Sequence, residues 1–414
     1  MRPPSGAPSM RHDVERRSTL WTPWVHELLF DDEIARVPDA VIRHCIITSL
    51  RDIYPLPEIS GEELYRRFER EIERIRYEEL KELVQTYLPR DIWMNHGLLP
   101  WYGKRHSDFT DPVDIVRPQT ELSKNDEAQF YFESARDLSL ADLSLSIVTE
   151  RRRSDTRVSK DWSERGRTAR DRYEIFNHLT RIGLLEENSI APAHLWSEHE
   201  LIPEHRVIRI RDAEKHTIFE KPSDLTLHAA YSLGPLYKGT LIRGDQRVPV
   251  YIAVRRKGII QTIAKALYMT GADERTMSMR VPDRIGIRFL FRTEEEWVGG
   301  IRTILRRLCH GALRKIQAGK RLVNEFAYEG LVLAKDGSIV RAQEIEVQCM
   351  PIEHHANIAW SHGEEHHLRY HIRWYTKDDV GILPWLFPHT LYGIDWRDPA
   401  LLKRMHDHVV MRGR

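Results

Sequence analysis

The sequence predicts an α+β protein: a mainly helical N-terminal region over residues 19–200, then a sheet-bearing region over residues 204–414. Two observations carry this. Over residues 61–88, GEELYRRFEREIERIRYEELKELVQTYL places Leu64, Phe68, Ile72, Ile75, Leu80 and Leu83 at steps of 3, 4 and 5, the spacing of an amphipathic helix. After residue 204 the texture changes to short β-rich runs, namely RVIRIR, LTLHAAYSL, KGTLIRG, VPVYIAV, IGIRFLF, GLVLA and EIEVQC, with helical patterns between them at 258–268 and 294–309. Strands interleaved with helices imply an α/β or α+β sheet domain.

The other segments say less. Residues 1–18 are rich in Pro, Gly, Ser and Arg with little to bury, which predicts a disordered tail. Residues 89–150 are mixed, ending in a short helical pattern, LSLADLSLSIV. The Arg-rich stretch at 151–172 reads as a solvated linker or as a segment touching RNA phosphates, and leads into a helical pattern, YEIFNHLTRIGLLEE. Lys and Arg (63) balance Asp and Glu (62), so no global field points to nucleic acid or membrane. Cys45, Cys309 and Cys349 are few and far apart, without metal or disulfide spacing, and this predicts a reducing, cytoplasmic setting. No stretch approaches the roughly 20 apolar residues that cross a bilayer.

Three segments carry candidate chemistry. In VPVYIAVRRKGIIQTIAKALY a β-branched run ends in Arg255, Arg256 and Lys257, and Gly258 opens an amphipathic helix bearing Lys265. Cations at a strand end beside a helix N-terminus suit a polyphosphate, because charge and backbone N–H groups converge there. In RVPDRIGIRFLF, Asp283 starts an apolar strand and Arg288 follows; an acid so placed suits Mg²⁺ held against nucleotide phosphates. In GLVLAKDGSIVRAQEIEVQC, Asp336-Gly337 marks a hairpin turn. In its second strand Glu344, Glu346 and Gln348 share one face by period 2, so a carboxylate there can serve as metal ligand or base. Each segment alone also reads as ordinary solvated polar surface.

In this order the three segments resemble the synthetase domain of the RelA/SpoT family, over residues 245–365. Arg255, Lys257 and Lys265 match the spacing of that family's RxKxxxxxxxK segment at the ATP site. Asp283, Gly286 and Arg288 match its D-x-x-[AG]-x-R strand, and FLFRTEEEWVGGIRTILRRL matches the strand and helix that follow. Tyr328 corresponds to the hairpin tyrosine that stacks on the acceptor guanine; Glu346, Val347 and Gln348 match the E-[IV]-Q strand, with His355 at the family's histidine position. The chain departs from the pattern on the acceptor side, with Met350-Pro351 for Arg-Thr and Gly330-Leu331-Val332 for Ser-Leu-His.

The resemblance implies a mixed β-sheet flanked by helices, nucleotidyltransferase-like, and transfer of the β,γ-pyrophosphate of ATP to the 3′-hydroxyl of GDP or GTP to make (p)ppGpp. It implies ATP contacts from Arg255, Lys257, Lys265 and Arg288, Mg²⁺ held by the catalytic carboxylates Asp283 and Glu346, and acceptor contacts from Tyr328, Gln348 and His355. The expected partners are ATP and a guanine nucleotide or a tRNA 3′ end, without a membrane, and a homo-oligomer is a further expectation.

Other readings compete. Toxin-like pyrophosphorylation of tRNA suits the basic stretches, and a nucleotide-binding regulator without turnover keeps the fold alone. A zinc-dependent hydrolase would draw on His354 to His371, where His362/His366 and His367/His371 stand at i, i+4 without an H-E-x-x-H pattern. No His-Asp motif with the flanks of the family's hydrolase module is present; His12-Asp13 and His106 near Asp108 lack them. The Arg-rich pattern at 301–307 and the segment 314–321 read as a solvated helix face or as a guide for an anionic acceptor.

Overall fold

The computed structural model describes residues 22–29, 34–54, 56–99, 110–117, 124–152, 175–202, 205–222, 230–232, 236–270, 285–308, 313–318, 324–333, 339–355, 367–377 and 381–412. The expected tail, most of the Arg-rich stretch at 151–172, Asp283, and the centre of the histidine segment lie outside these residues.

The helices preceding the first strand are α1 (Pro23–Leu29), α2 (Asp39–Ile53), α3 (Gly61–Arg74), α4 (Lys81–Tyr87), α5 (Arg90–Asn95), α6 (Pro112–Val116), α7 (Lys124–Arg152) and α8 (residues 175–181). Strands β1 (Ala191–Ala193), β2 (Trp196–Ile202), β3 (His205–Arg211), β4 (Thr217–Pro222), β5 (Ala230–Ser232), β6 (Leu236–Arg243) and β7 (Gln246–Arg256) follow. After them come α9 (Ile259–Thr270), β8 (Ile285–Phe291), α10 (Glu294–Leu308), β9 (Leu313–Ala318), β10 (Asn324–Leu333) and β11 (Ile339–Pro351). The last elements are α11 (His367–Tyr375), α12 (Ile382–Leu386), α13 (His389–Tyr392) and α14 (Pro399–Arg412). The architecture is α+β. No helix among the described residues is long and apolar enough to cross a membrane.

Contacts group the chain into two units that differ from the contiguous regions expected from sequence. One unit unites Met1–Arg153 with Gly258–Met279 and His371–Val409; the other comprises Ser154–Lys257, Arg280–Tyr370 and Val410–Arg414. The C-terminal helices, expected within the sheet-bearing region, therefore belong with the N-terminal helices. The reason is local: Ile372, Tyr375, Leu383, Leu386, Phe387, Met405 and Val409 are buried, and polar contacts tie the two stretches together. Tyr87 bonds His371 Nδ1 at 2.8 Å, Arg136 donates to the Leu386 carbonyl at 3.3 Å, and Tyr392 donates to Glu133 at 2.7 Å.

In the helical unit, Ser60 caps α3 by accepting from the Glu63 N–H at 3.1 Å. The helix buries Leu64, Phe68 and Ile72, the face read from the sequence. The five-residue step from Ile75 to Leu80 is a π-helical segment, Ile75–Leu80; the wider turn keeps both residues on the buried face before α4 resumes. The short helical pattern expected at 138–148 is part of α7, a helix of 29 residues that is buried along residues 131–142. Its polar residues are paired inside: Arg136 with Asp137 at 3.0 Å, and Asp142 with the Tyr54 hydroxyl at 2.6 Å.

In the sheet-bearing unit, a mixed seven-stranded sheet runs β1-β6-β7-β8-β11-β10-β9, and a second sheet runs β4-β3-β2-β5. Among the described strands only β8 and β11 pair in parallel; β6–β7 and β10–β11 pair antiparallel, the latter as the expected hairpin. Gly244 turns the β6–β7 hairpin at φ +59°, a conformation that favours glycine. Period-2 alternation gives the large sheet two different faces. Val250, Ile252 and Val254 of β7, Ile287 and Phe289 of β8, and Val347 and Cys349 of β11 form one core with Trp297, Ile301 and Ile304 of α10. The Trp297 indole donates to the Cys349 carbonyl at 2.9 Å, locking helix to sheet. On the other face Leu290, Met350 and Tyr251 pack with Leu195, Ile210 and Phe219, so the second sheet covers one end of that face.

Three local expectations change. Residues 191–193 and 196–200, placed in the helical region, belong to β1 and β2. Of the segment 314–321, read with a helix face, residues 314–318 lie in the outer strand β9 and the rest lies outside the described residues, while the Arg-rich pattern at 301–307 is helical as expected. Only Ala230–Ser232 of LTLHAAYSL is described as strand.

Candidate functional site

The face that carries Tyr251, Leu290 and Met350 turns polar toward the other end of the same strands. Register aligns the three candidate segments there: Arg255 pairs with Gly286 and Gly286 with Glu346, while Ala253 pairs with Arg288 and Arg288 with Gln348. Since β8 lies between β7 and β11, residues far apart in sequence occupy two adjacent rows on one face.

In the first row the Arg255 guanidinium donates from Nη2 to Glu346 Oε2 at 2.6 Å. Glu346 is 17% exposed and Arg255 35%, so the pair sits at the rim of the sheet rather than in bulk solvent. Gly286 makes room for it. A Cβ there would stand 2.9 Å from Arg255 Nε and 3.5 Å from Glu346 Oε2, which accounts physically for a small residue between Asp283 and Arg288.

In the second row Arg288 donates from Nε to Gln348 Oε1 at 2.8 Å, and its Nη1 meets His355 Nδ1 at 2.8 Å. Guanidinium can only donate, so Nδ1 accepts and the imidazole proton resides on Nε2. Gln348 and His355 are buried. His355 lies in a helical turn that follows β11 directly, and this brings its ring back to the sheet. Two rigid strands and one turn thus hold a fork of donors and acceptors. Burial pushes the neighbouring Cys349 thiol up, which suits a packing residue on the opposite face rather than a nucleophile.

Sequence-read residues outside this cluster fare differently. Lys257 directly precedes Gly258 at the end of the sheet-bearing unit, and Lys265 lies on α9 in the helical unit. Tyr328 belongs to β10, paired with Ile345, but its side chain lies outside the description, as does Asp283 altogether. The expectation that the N-terminus of α9 offers free N–H groups to phosphate is corrected. Glu79 already accepts from the Ile259 and Ile260 N–H groups at 3.1 and 3.2 Å. Its carboxylate is fixed by Arg74 at 2.6 Å, and Arg74 also pairs with Glu71 at 3.0 Å. A Cβ at Gly258 would come within 2.7 Å of Glu79 Oε2, so this glycine admits the capping carboxylate.

Sequence reasoning missed Glu79 as an anion on this helix. The one available signal was the five-residue step, since Glu79 stands in the π-helical segment.

Glu346 supplies the hard oxygen donors that Mg²⁺ prefers; its Oε2 accepts from Arg255 at 2.6 Å, so a divalent cation bound with phosphate would share or take over this carboxylate from the guanidinium. Elsewhere, Asp212, Glu214 and His216 converge in the β3–β4 turn at the surface, with His216 Nδ1 3.2 Å from Asp212.

No protein-family model, no curated protein and no solved structure matches this chain. The fold and site define an α+β protein whose mixed sheet presents two rows of charged and polar side chains at one end.

Proposed function

We propose that the sheet-bearing unit is a RelA/SpoT-like, nucleotidyltransferase-type synthetase that binds ATP with Mg²⁺ and transfers its β,γ-pyrophosphate to the 3′-hydroxyl of GDP or GTP. The observation that carries this is the convergence of Arg255, Arg288, Glu346 and Gln348, read from three separate segments, with His355 on adjacent rows about Gly286.

In this reading Arg255 and Lys257 hold the triphosphate, with Arg288 as a further ATP contact. Glu346 and Asp283 hold the metal, and Glu346 alternatively takes the proton of the attacking hydroxyl. Bound Mg²⁺ would neutralise charge developing on the transferred phosphates. The acceptor oxygen forms a bond to the β-phosphorus, the bond from that phosphorus to the α,β-bridging oxygen breaks, and AMP leaves. Such transfer asks little covalent chemistry of the protein, so positioned charges supply the rate. Besides its contact with ATP, Arg288 holds Gln348 and His355, which would contact the acceptor while Tyr328 would stack on its base. The three scattered cysteines favour a cytoplasmic setting.

Incubating the full chain with ATP, Mg²⁺ and GDP or GTP, and separately with tRNA, should release AMP and label one acceptor. Glu346→Ala and Asp283→Ala should abolish AMP release with the fold kept. Wild-type turnover in either variant would sink the assignment. Nucleotide binding without AMP release would instead mark a regulator.

A further inference from the structure

Arg255 and Glu346 neutralise one another in this structure, although the proposed function assigns them to opposite partners, phosphate and metal. We infer that Glu346 is the resident counter-anion of Arg255, so that the site accepts a polyphosphate only together with a divalent cation and discriminates against free polyphosphate. This inference rests on the polyphosphate reading of the site.

The geometry supplies the argument. The two side chains meet at 2.6 Å across a residue with no side chain, and both emerge from strand backbones that cannot move apart without breaking ladder hydrogen bonds. A polyphosphate arriving alone must draw Arg255 away from Glu346 and then face that carboxylate at short range. The carboxylate cannot retreat far, because its strand is held on one side by β8 and on the other by β10. A divalent cation would remove the conflict: Glu346 would hold it, and Arg255 would be left to the phosphate. The pair therefore exchanges partners as a unit. Charge in a partly desolvated site acts at higher strength than at an open surface, which makes the discrimination measurable.

Calorimetric titration of the full chain with inorganic tripolyphosphate, with and without Mg²⁺, reads the exchange without turnover. Wild-type protein should bind at least about tenfold more tightly with Mg²⁺ than without it, a difference of about 1.4 kcal/mol. Glu346→Gln keeps shape and an acceptor oxygen but removes the charge. It should bind metal-free tripolyphosphate about tenfold more tightly than wild type and gain little from Mg²⁺. From the other side, Arg255→Gln should bind Mn²⁺ alone more tightly than wild type, read by electron paramagnetic resonance, because it frees the carboxylate.

If tripolyphosphate binds both proteins but Glu346→Gln is no tighter without metal, or gains as much from Mg²⁺ as wild type, the inference is overturned while the polyphosphate site stands. Unchanged Mn²⁺ binding in Arg255→Gln overturns it independently. If no protein binds tripolyphosphate under any condition, the polyphosphate reading falls and the inference with it.

Discussion

Removing Glu79 tests the most specific packing arrangement in the helical unit. The carboxylate accepts two backbone N–H groups at the start of α9 and the Arg74 guanidinium, and the two side chains are 12% and 9% exposed. In Glu79→Ala the lost cap costs about 1 kcal/mol, and the lost charge-assisted bond at a nearly buried site costs about 2 kcal/mol more. Arg74 retains Glu71 and Ser144, at 3.0 and 2.9 Å, which keeps the loss below that of a fully orphaned buried charge. The expected destabilisation is about 3 kcal/mol, and Glu79→Gln, which keeps one acceptor oxygen, should lose about half of it. Urea unfolding followed by tryptophan fluorescence measures it, with amide exchange at Ile259 and Ile260 reporting the cap directly. Gly258→Ala completes a double-mutant cycle. Its new Cβ would lie 2.7 Å from Glu79 Oε2 and displace the carboxylate, so the substitution should destabilise wild type. In the Glu79→Ala background it should be neutral or stabilise by up to about 1 kcal/mol. A loss below about 1 kcal/mol in Glu79→Ala, or an equal cost of Gly258→Ala in both backgrounds, refutes the reasoning.

Three further outcomes are expected. Gly286→Val should fill the space shared by Arg255 and Glu346 and cut tripolyphosphate affinity at least about tenfold, about 1.4 kcal/mol, while the urea midpoint changes little, because the pair is partly exposed; unchanged affinity would show that the space is not used. Arg288→Lys should lose the fork that holds Gln348 and His355, and nitrogen NMR should show His355 leaving the Nε2-protonated tautomer; an unchanged tautomer contradicts the assignment. Burial raises the Asp142 carboxyl above its ordinary value, against hydrogen bonds that lower it, so its contribution to stability is fully present below about pH 4 and is lost as pH rises through the folded value. Asp142→Asn should therefore gain on wild type as pH rises from about 3 to 7, and a flat difference in unfolding free energy across that range argues against the buried charge.

The sequence by itself determined the local elements and much of the cluster. Period 2 in VPVYIAV and EIEVQC and the helical steps of residues 61–88 are consequences of backbone geometry, so they are readable without tertiary context. The spacing in each segment likewise marked Arg255, Arg288, Glu346 and Gln348, and the family resemblance marked His355, residues that the sheet and the turn after it bring together. Tertiary structure decided what pairing and long-range packing control. Register across β7, β8 and β11 puts Arg255 on Glu346 and shows what Gly286 is for. Neither is encoded by a local period, since strand partners are chosen by burial of whole faces. The same holds for the division of the chain: helices after residue 370 read locally like any amphipathic helix, and only the fit of His371, Leu386 and Tyr392 against Tyr87, Arg136 and Glu133 assigns them to the helical unit. Glu79, 180 residues before the helix it caps, is the clearest case. A helix N-terminus announces in sequence that it wants an anion, and the folded chain alone shows that one of its own carboxylates has taken the place.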